Sequence, residues 1–224
     1  MKKFENDLAA LTKRVVEMGD LVASMIEMVT RALDTCQPEV LREVARREEN
    51  VNRMQVEIDR ESIRLLTVYS PVAGDLRLVF MVSRINSELE RIGDQAINMG
   101  EYLQLLVSDD HAGAFSESPR MAKIVLKMFN DALSAFYSQD QAKAEAVIAR
   151  DDVVDALNHE VLRRCLHGAQ DDMAHAVAEI LWARSLERIA DQATNICEEV
   201  IYIVSGRDIR HRAMLDDQVG QAAQ

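Results

Sequence analysis

Aromatic residues make up only 4% of this 224-residue chain, which holds just 3 prolines and 8 glycines. With so few helix breakers and so few aromatic or β-branched runs, there is little material for strands and tight turns, and long helices are expected. Three cysteines, Cys36, Cys165 and Cys197, are odd in number and lack CxxC or finger-like spacing. They suggest neither a disulfide framework nor a structural zinc site, and fit a reducing cytoplasm. No uncharged apolar run approaches the roughly 18 residues that span a bilayer. The opening MKKFENDLAALTKR returns to charge before a secretory core could form. Membrane association is therefore expected only through a docked partner. Positive charge is also short. The formal net charge of −12 argues against nucleic acid as principal partner, because a phosphate backbone rewards basic surface. It favours hard cations, or basic patches on other proteins.

What the chain does have is a repeat. LERIGDQAIN at Leu89 to Asn98 returns as LERIADQATN at Leu186 to Asn195, 97 residues later, with eight of ten positions identical. An echo that close implies two copies of one unit. A second match, RREENVNRMQVEI at Arg46 with ARDDVVDALNHEV at Ala149, lies at a shift of 103. The first copy therefore holds six more residues between the two matched stretches.

Apolar residues at three- and four-residue steps mark the helices. Leu8, Leu11, Val15, Met18, Val22, Met25, Val29 and Leu33 form a first seam, which Pro38 is expected to end. A second helix is predicted from about Glu39 to Val68, with Val40, Val44, Val51, Met54, Ile58 and Leu65 inside and Pro71 and Gly74 as its breakers. The third, from about Asp75 to Val107, precedes a linker, SDDHAGAFSES. Ser118 as N-cap and Pro119 restart the pattern. Helix four then runs to about Ser138, helix five from Asp140 to His167 and helix six from Asp172 to Ser205, with Gly206 as C-cap. The expectation is an all-α protein of two tandem three-helix bundles, residues 1–110 and 111–212, followed by a disordered tail at 213–224. Helices of this length would make each bundle about 45 Å long.

The repeated residues are mostly polar, which packing alone would not require. At about 100° per residue, Glu90, Asp94, Asn98 and Glu101 fall within roughly an 80° arc, opposite Leu89, Ile92, Ala96, Met99 and Leu103. Glu187, Asp191, Asn195 and Glu198 repeat the column against Leu186, Ile189, Ala193, Ile196 and Val200. Asp152 and Asp155 share a face of the preceding helix, and like charges so close repel. A cation would turn that repulsion into attraction. Oxygen ligands suit Mg²⁺, Ca²⁺ or Mn²⁺, and Fe or Zn where carboxylates bridge several ions. The bland alternative is a set of solvated acidic faces, with Arg91 and Arg188 making intra-helix ion pairs worth little. His159, His167, His175 and His211 offer no Glu-x-x-His ligand spacing. Trp182 and the methionine-bearing seams read as core. No phosphate loop or nucleophile motif supports covalent catalysis.

The doubled LERIGDQAIN and LERIADQATN helices, the PVAGDLR segment at Pro71 to Arg77 and the GRDIRH ending together resemble the PhoU family, over nearly the whole chain. The resemblance implies a PhoU-like six-helix architecture, usually as a homodimer, with a multinuclear cluster of iron, zinc, manganese or magnesium on each bundle. Carried onto this chain, it implies Glu49, Glu90 and Asp94 as ligands of the first cluster and Asp152, Asp155, Glu187 and Asp191 of the second. Asn98 and Asn195 are further candidates. Asn52 stands where the second copy has Asp155, so the first site has one carboxylate fewer. The implied activity is regulatory: restraint of phosphate uptake and of the phosphate-starvation regulon, through the ATPase subunit of the phosphate ABC transporter and the PAS domain of a phosphate-sensing histidine kinase. Two rivals stand beside it. One is a carboxylate-bridged metalloenzyme in a helical bundle, the other a metal-free helical adaptor.

Overall fold

The computed structural model describes residues 2–35, 38–107, 115, 117–168 and 173–210, and among these every regular element is an α-helix. They are α1 (Lys2–Thr35), α2 (Pro38–Tyr69), α3 (Ala73–Val107), α4 (Ser118–Ser138), α5 (Gln141–Ile148), α6 (Asp151–Gly168) and α7 (Met173–Ser205). α1, α2 and α3 pack as one bundle, and α4 to α7 as the other. The expected seams are the core. Val15, Met18, Val22, Met25, Val51, Ile58, Leu89, Ile92, Ile189 and Ile196 are all fully buried, each contributing about 1.5–3 kcal/mol relative to exposure. Trp182 is fully buried as well.

The two bundles share a spine. α3 and α7 pack along each other antiparallel, so that Arg84 meets Glu199 and Glu88 meets Asn195. α1 also touches α4, where a Cβ on Gly19 would lie 2.5 Å from Leu133 Cδ2. The glycine is what lets that leucine seat.

Several boundaries differ from the sequence reading, each for a local reason. α1 ends at Thr35, short of Pro38 as expected, and Pro38 is itself the first residue of α2, a position where its missing N–H costs nothing. Between α2 and α3 the left-handed residues are Ser70 (φ 44°) and Ala73 (φ 48°), and Gly74 lies inside α3. Pro71 disfavours helical backbone at Ser70, so the turn begins there. The N-cap of α4 is Glu117, and Ser118 is buried with its hydroxyl donating to Glu179 Oε1 at 3.4 Å. Gly206 caps α7 as expected, at φ 68°, with its N–H on Tyr202 O.

The expected fifth helix is two helices. Asp140 caps α5 through the Lys143 N–H, the chain tightens at Ala149 and Arg150, and α6 restarts at Asp151. Arg150 is tied to Asp131 of α4 at 2.5 Å. At the matching place in α2 the chain reads Arg47-Glu48-Glu49 and the helix continues. Aspartate is the poorer interior helix former and favours a first turn. Two adjacent aspartates therefore give the break that two glutamates do not. Cys36, His111, Asp172, His211 and the expected tail at 213–224 lie outside the described residues.

Candidate metal centre

In the second half α6 and α7 bring five carboxylates together. Asp151 is half-buried. Withdrawal from water, then the charges of Asp191, Asp155, Asp152 and Glu187, push its carboxyl up to about 6. Glu187 and Asp191 are raised too, first because packed neighbours displace water around their carboxyls even though Asp191 as a whole is exposed, with Asp155 adding to each and Arg184 and Arg188 opposing the shift. Arg184 donates to Glu187 Oε1 at 2.6 Å. Among the described residues, Glu187 Oε2 and Asp151 Oδ1 are buried oxygens without a hydrogen-bond donor. A buried, unpaired acceptor of negative charge is costly. A cation is the partner its chemistry suits.

The first half is less crowded. Glu90 is raised by burial, then by Asp94, with Glu48 adding and Arg91 opposing. Glu48 accepts a hydrogen bond from the Asn52 amide, and Arg91 pairs with Glu88 at 3.0 Å. Where the second half sets a fifth charge at Asp155, the first sets a neutral donor.

Of the residues singled out in the sequence, Asp155, Glu187 and Asp191 meet in one cluster, and Glu90 and Asp94 in the other. The columns face outward, with Glu90 and Glu187 half-buried and Asp94 and Asp191 exposed. Asp152 is exposed and acts on Asp151 by charge alone. Glu49 is exposed, and its neighbour Glu48 is the residue that acts on Glu90. Asn98 lies half-buried one turn beyond Asp94, and Asn195 reaches across to Glu88 Oε2 at 3.4 Å. Glu48 and Asp151, not singled out in the sequence, add their charges to these two clusters. The signal was there, for Glu48-x-x-x-Asn52 and Asp151-x-x-x-Asp155 repeat the four-residue spacing of Glu90 with Asp94, one register before Glu49 and Asp152.

These are crowded faces, not finished cages. Among the described residues no three histidine, cysteine or carboxylate side chains converge enough to hold a metal ion. Three surface hollows, of about 320, 240 and 750 Å³, are lined by none of the residues of either cluster. His159 and His167 turn back to the carbonyls of Asp155 and Arg163.

The fold and its acidic faces define a duplicated helical-bundle protein with one carboxylate cluster per half. The PhoU domain profile matches residues 15–103 and again 119–200. The chain is 34% identical over 215 residues to the phosphate-specific transport system accessory protein PhoU homolog of Aquifex aeolicus (strain VF5), covering 95% of this chain and 97% of that one. It is 30% identical over 212 residues to the PhoU accessory protein of Escherichia coli (strain K12), covering 93% and 88%. The crystal structure of PhoU from Pseudomonas aeruginosa superposes with a TM-score of 0.87 at 31% identity, over 91% of this chain and all of that one. The phosphate transport system regulatory protein PhoU from Streptococcus pneumoniae gives 0.85 at 25% identity, over 92% and 98%. The chain belongs to the PhoU family. The relatives bear the names of accessory and regulatory proteins, not of enzymes.

Proposed function

We propose that this protein is a metal-binding regulator of phosphate uptake and signalling in the cytoplasm, working as a homodimer. In this reading it restrains the phosphate regulon through the ATPase subunit of the phosphate ABC transporter and the PAS domain of a sensor histidine kinase. Family membership supports the phosphate connection. The observation that carries the metal is the crowding of Asp151, Asp155, Glu187 and Asp191, two of whose oxygens are buried without a donor. Those four, with Glu48, Glu90 and Asp94 in the first half, would hold the ions. A bound cation neutralises the like charges of two helices and so cross-braces them, giving a rigid surface to partners. Among the described residues no helix is long and apolar enough to cross a membrane, which fits contact with the transporter by docking.

The metal-free adaptor remains the second reading, favoured by the absence of a converged three-ligand set among the described residues. Calorimetric titration with Mn²⁺, Fe²⁺ and Zn²⁺ separates the two. The metal reading expects uptake that falls sharply in a Glu187→Ala, Asp191→Ala double variant. Equal uptake by both proteins would remove it. For the regulatory part, deleting the gene should derepress phosphate-starvation genes in phosphate-rich medium, and unchanged expression would refute it.

A further inference from the structure

Both halves leave large apolar side chains in water at matching places. Ile63, Leu76 and Phe80 lie about the α2–α3 hairpin, and Leu166, Met173 and Val177 about the α6–α7 hairpin. Each is 45–66% exposed. At the shifts of 103 and 97 that relate the halves, Ile63 falls on Leu166, Leu76 on Met173 and Phe80 on Val177. Scattered surface apolar residues need no explanation, but a cluster kept in both halves does.

The patches are not isolated from the acidic faces. At about 100° per residue, Leu76, Phe80, Glu90 and Asp94 lie within roughly an 80° arc of α3, and Met173, Val177, Glu187 and Asp191 do the same on α7. Each stripe is apolar toward the hairpin and acidic about ten residues, or about 15 Å, further along. Ser83 and Asn86 on Asp59, and Arg164 on Glu179, set the registers that put Ile63 of α2 level with Phe80 and Leu166 of α6 level with Val177, on the helices that carry Glu48 and Asp151. A membrane surface would meet the apolar tip and repel the acids behind it. A second copy would set like charges against each other.

We propose that the outer groove between the second and third helix of each half, α2 with α3 and α6 with α7, receives an amphipathic helix of a partner protein. The partner's apolar side chains cover the hairpin patch, and its lysines or arginines follow about ten residues on to meet the carboxylates. The occupant is chosen by charge complementarity: the groove has an apolar end and an anionic end at fixed spacing, and a helix matches that spacing with a single face. The inference rests on the proposed role of this protein in contacting partners, takes these faces free of ions, and gives the contacting surface its polarity and register.

The probe is a synthetic helical peptide of about 25 residues, with leucines along one face of its first half and lysines along the same face of its second. Binding to the full chain is followed by fluorescence anisotropy in chelator. The expected result is salt-sensitive binding at two sites per chain, weakened about tenfold or more by Phe80→Asp with Val177→Asp and in the same direction by Phe80→Ala with Val177→Ala. A peptide with glutamates in place of the lysines should not bind. Equal binding of a scrambled peptide, or indifference to these substitutions, overturns the proposal. So does a dimer, or attachment to phosphatidylglycerol vesicles, that depends on Phe80 and Val177 in a protein that ignores the peptide. Metal uptake by the Phe80→Asp, Val177→Asp protein should equal wild type, so failure of the peptide with uptake intact sinks this inference alone.

Discussion

Removing a half-buried acid usually costs a protein something, yet Asp151→Asn should make the metal-free protein more stable at neutral pH. The carboxyl is raised from 3.8 to about 6, first by burial and then by four neighbouring acids. A folded-state value above the unfolded one means that the folded chain holds the proton more tightly. Stability from this source is therefore complete below 3.8 and lost as pH rises toward 6 and beyond. At about 1.36 kcal/mol for each tenfold change in proton affinity, the rise from 3.8 to about 6 sets a ceiling near 3 kcal/mol. Solvent beside a half-buried group reduces that to about 1.5–2, and the lost charge in the first turn of α6 takes back roughly 0.3–1 kcal/mol. The net gain is about 1 kcal/mol at pH 7.5. Urea melts in chelator, followed by circular dichroism at pH 7.5 and pH 3.5, measure it. The variant should be the more stable at the higher pH only, and adding metal should erase its advantage, because ligand binding to the fold stabilises the wild type more. A variant less stable than wild type at pH 7.5 in chelator, or a difference that ignores pH, would refute the idea that these charges strain each other.

Asn52→Asp supplies the first half with the missing charge, and should strengthen metal uptake there while lowering stability in chelator by a few tenths of a kcal/mol; calorimetry on a Glu187→Ala background isolates that site. Glu199 is buried against Arg84 at 2.8 Å, yet burial outweighs the arginine and its carboxyl is pushed up to about 7 from 4.5. Wild type should therefore lose about 2–3 kcal/mol relative to Glu199→Gln between pH 4.5 and 7.5, and parallel pH–stability curves would count against it. The chain's one tryptophan, Trp182, is buried in the second half. Its fluorescence should report unfolding at the same urea concentration as circular dichroism at 222 nm, since α3 and α7 join the halves along their length; separate midpoints would mean that the halves melt independently.

The helical core was legible because the seams from Leu8 to Leu33 and from Leu186 to Val200 obey a period that only one backbone geometry satisfies. What periodicity does not carry is a local contest between propensity and continuation. Asp151 and Asp152 sit in an apolar rhythm, Val147, Val154, Leu157 and Val161, that skips one step and still reads as one helix. Aspartate preference for a first turn wins there, and the break shows only in the folded chain. The same contest left the choice between Asp151 and Asp152 open. With α6 assumed continuous, Asp152 and Asp155 share a face as naturally as Asp151 and Asp155 do. It takes the restart of α6 and the approach of α7 to bring Asp151 under the charge of Asp191. Ser118 was legible as a helix start but not as a buried donor to Glu179, because Glu179 lies 61 residues away.

The differences between the halves carry the mechanical argument further than their likeness. A glutamate pair lets α2 run on past Glu48, and the Asn52 amide satisfies that carboxylate locally, so the first face is tolerable without an ion. An aspartate pair breaks the second helix, shortens the side chains and crowds five charges on one outward face, leaving two oxygens without a donor. One half is thus settled by its own hydrogen bond and the other is held in tension by its charges. If cations brace this protein, the second half is where their arrival changes the energy most. The antiparallel contact of α7 with α3 gives that change a direct route into the first half, through Asn195 on Glu88 and Glu199 on Arg84.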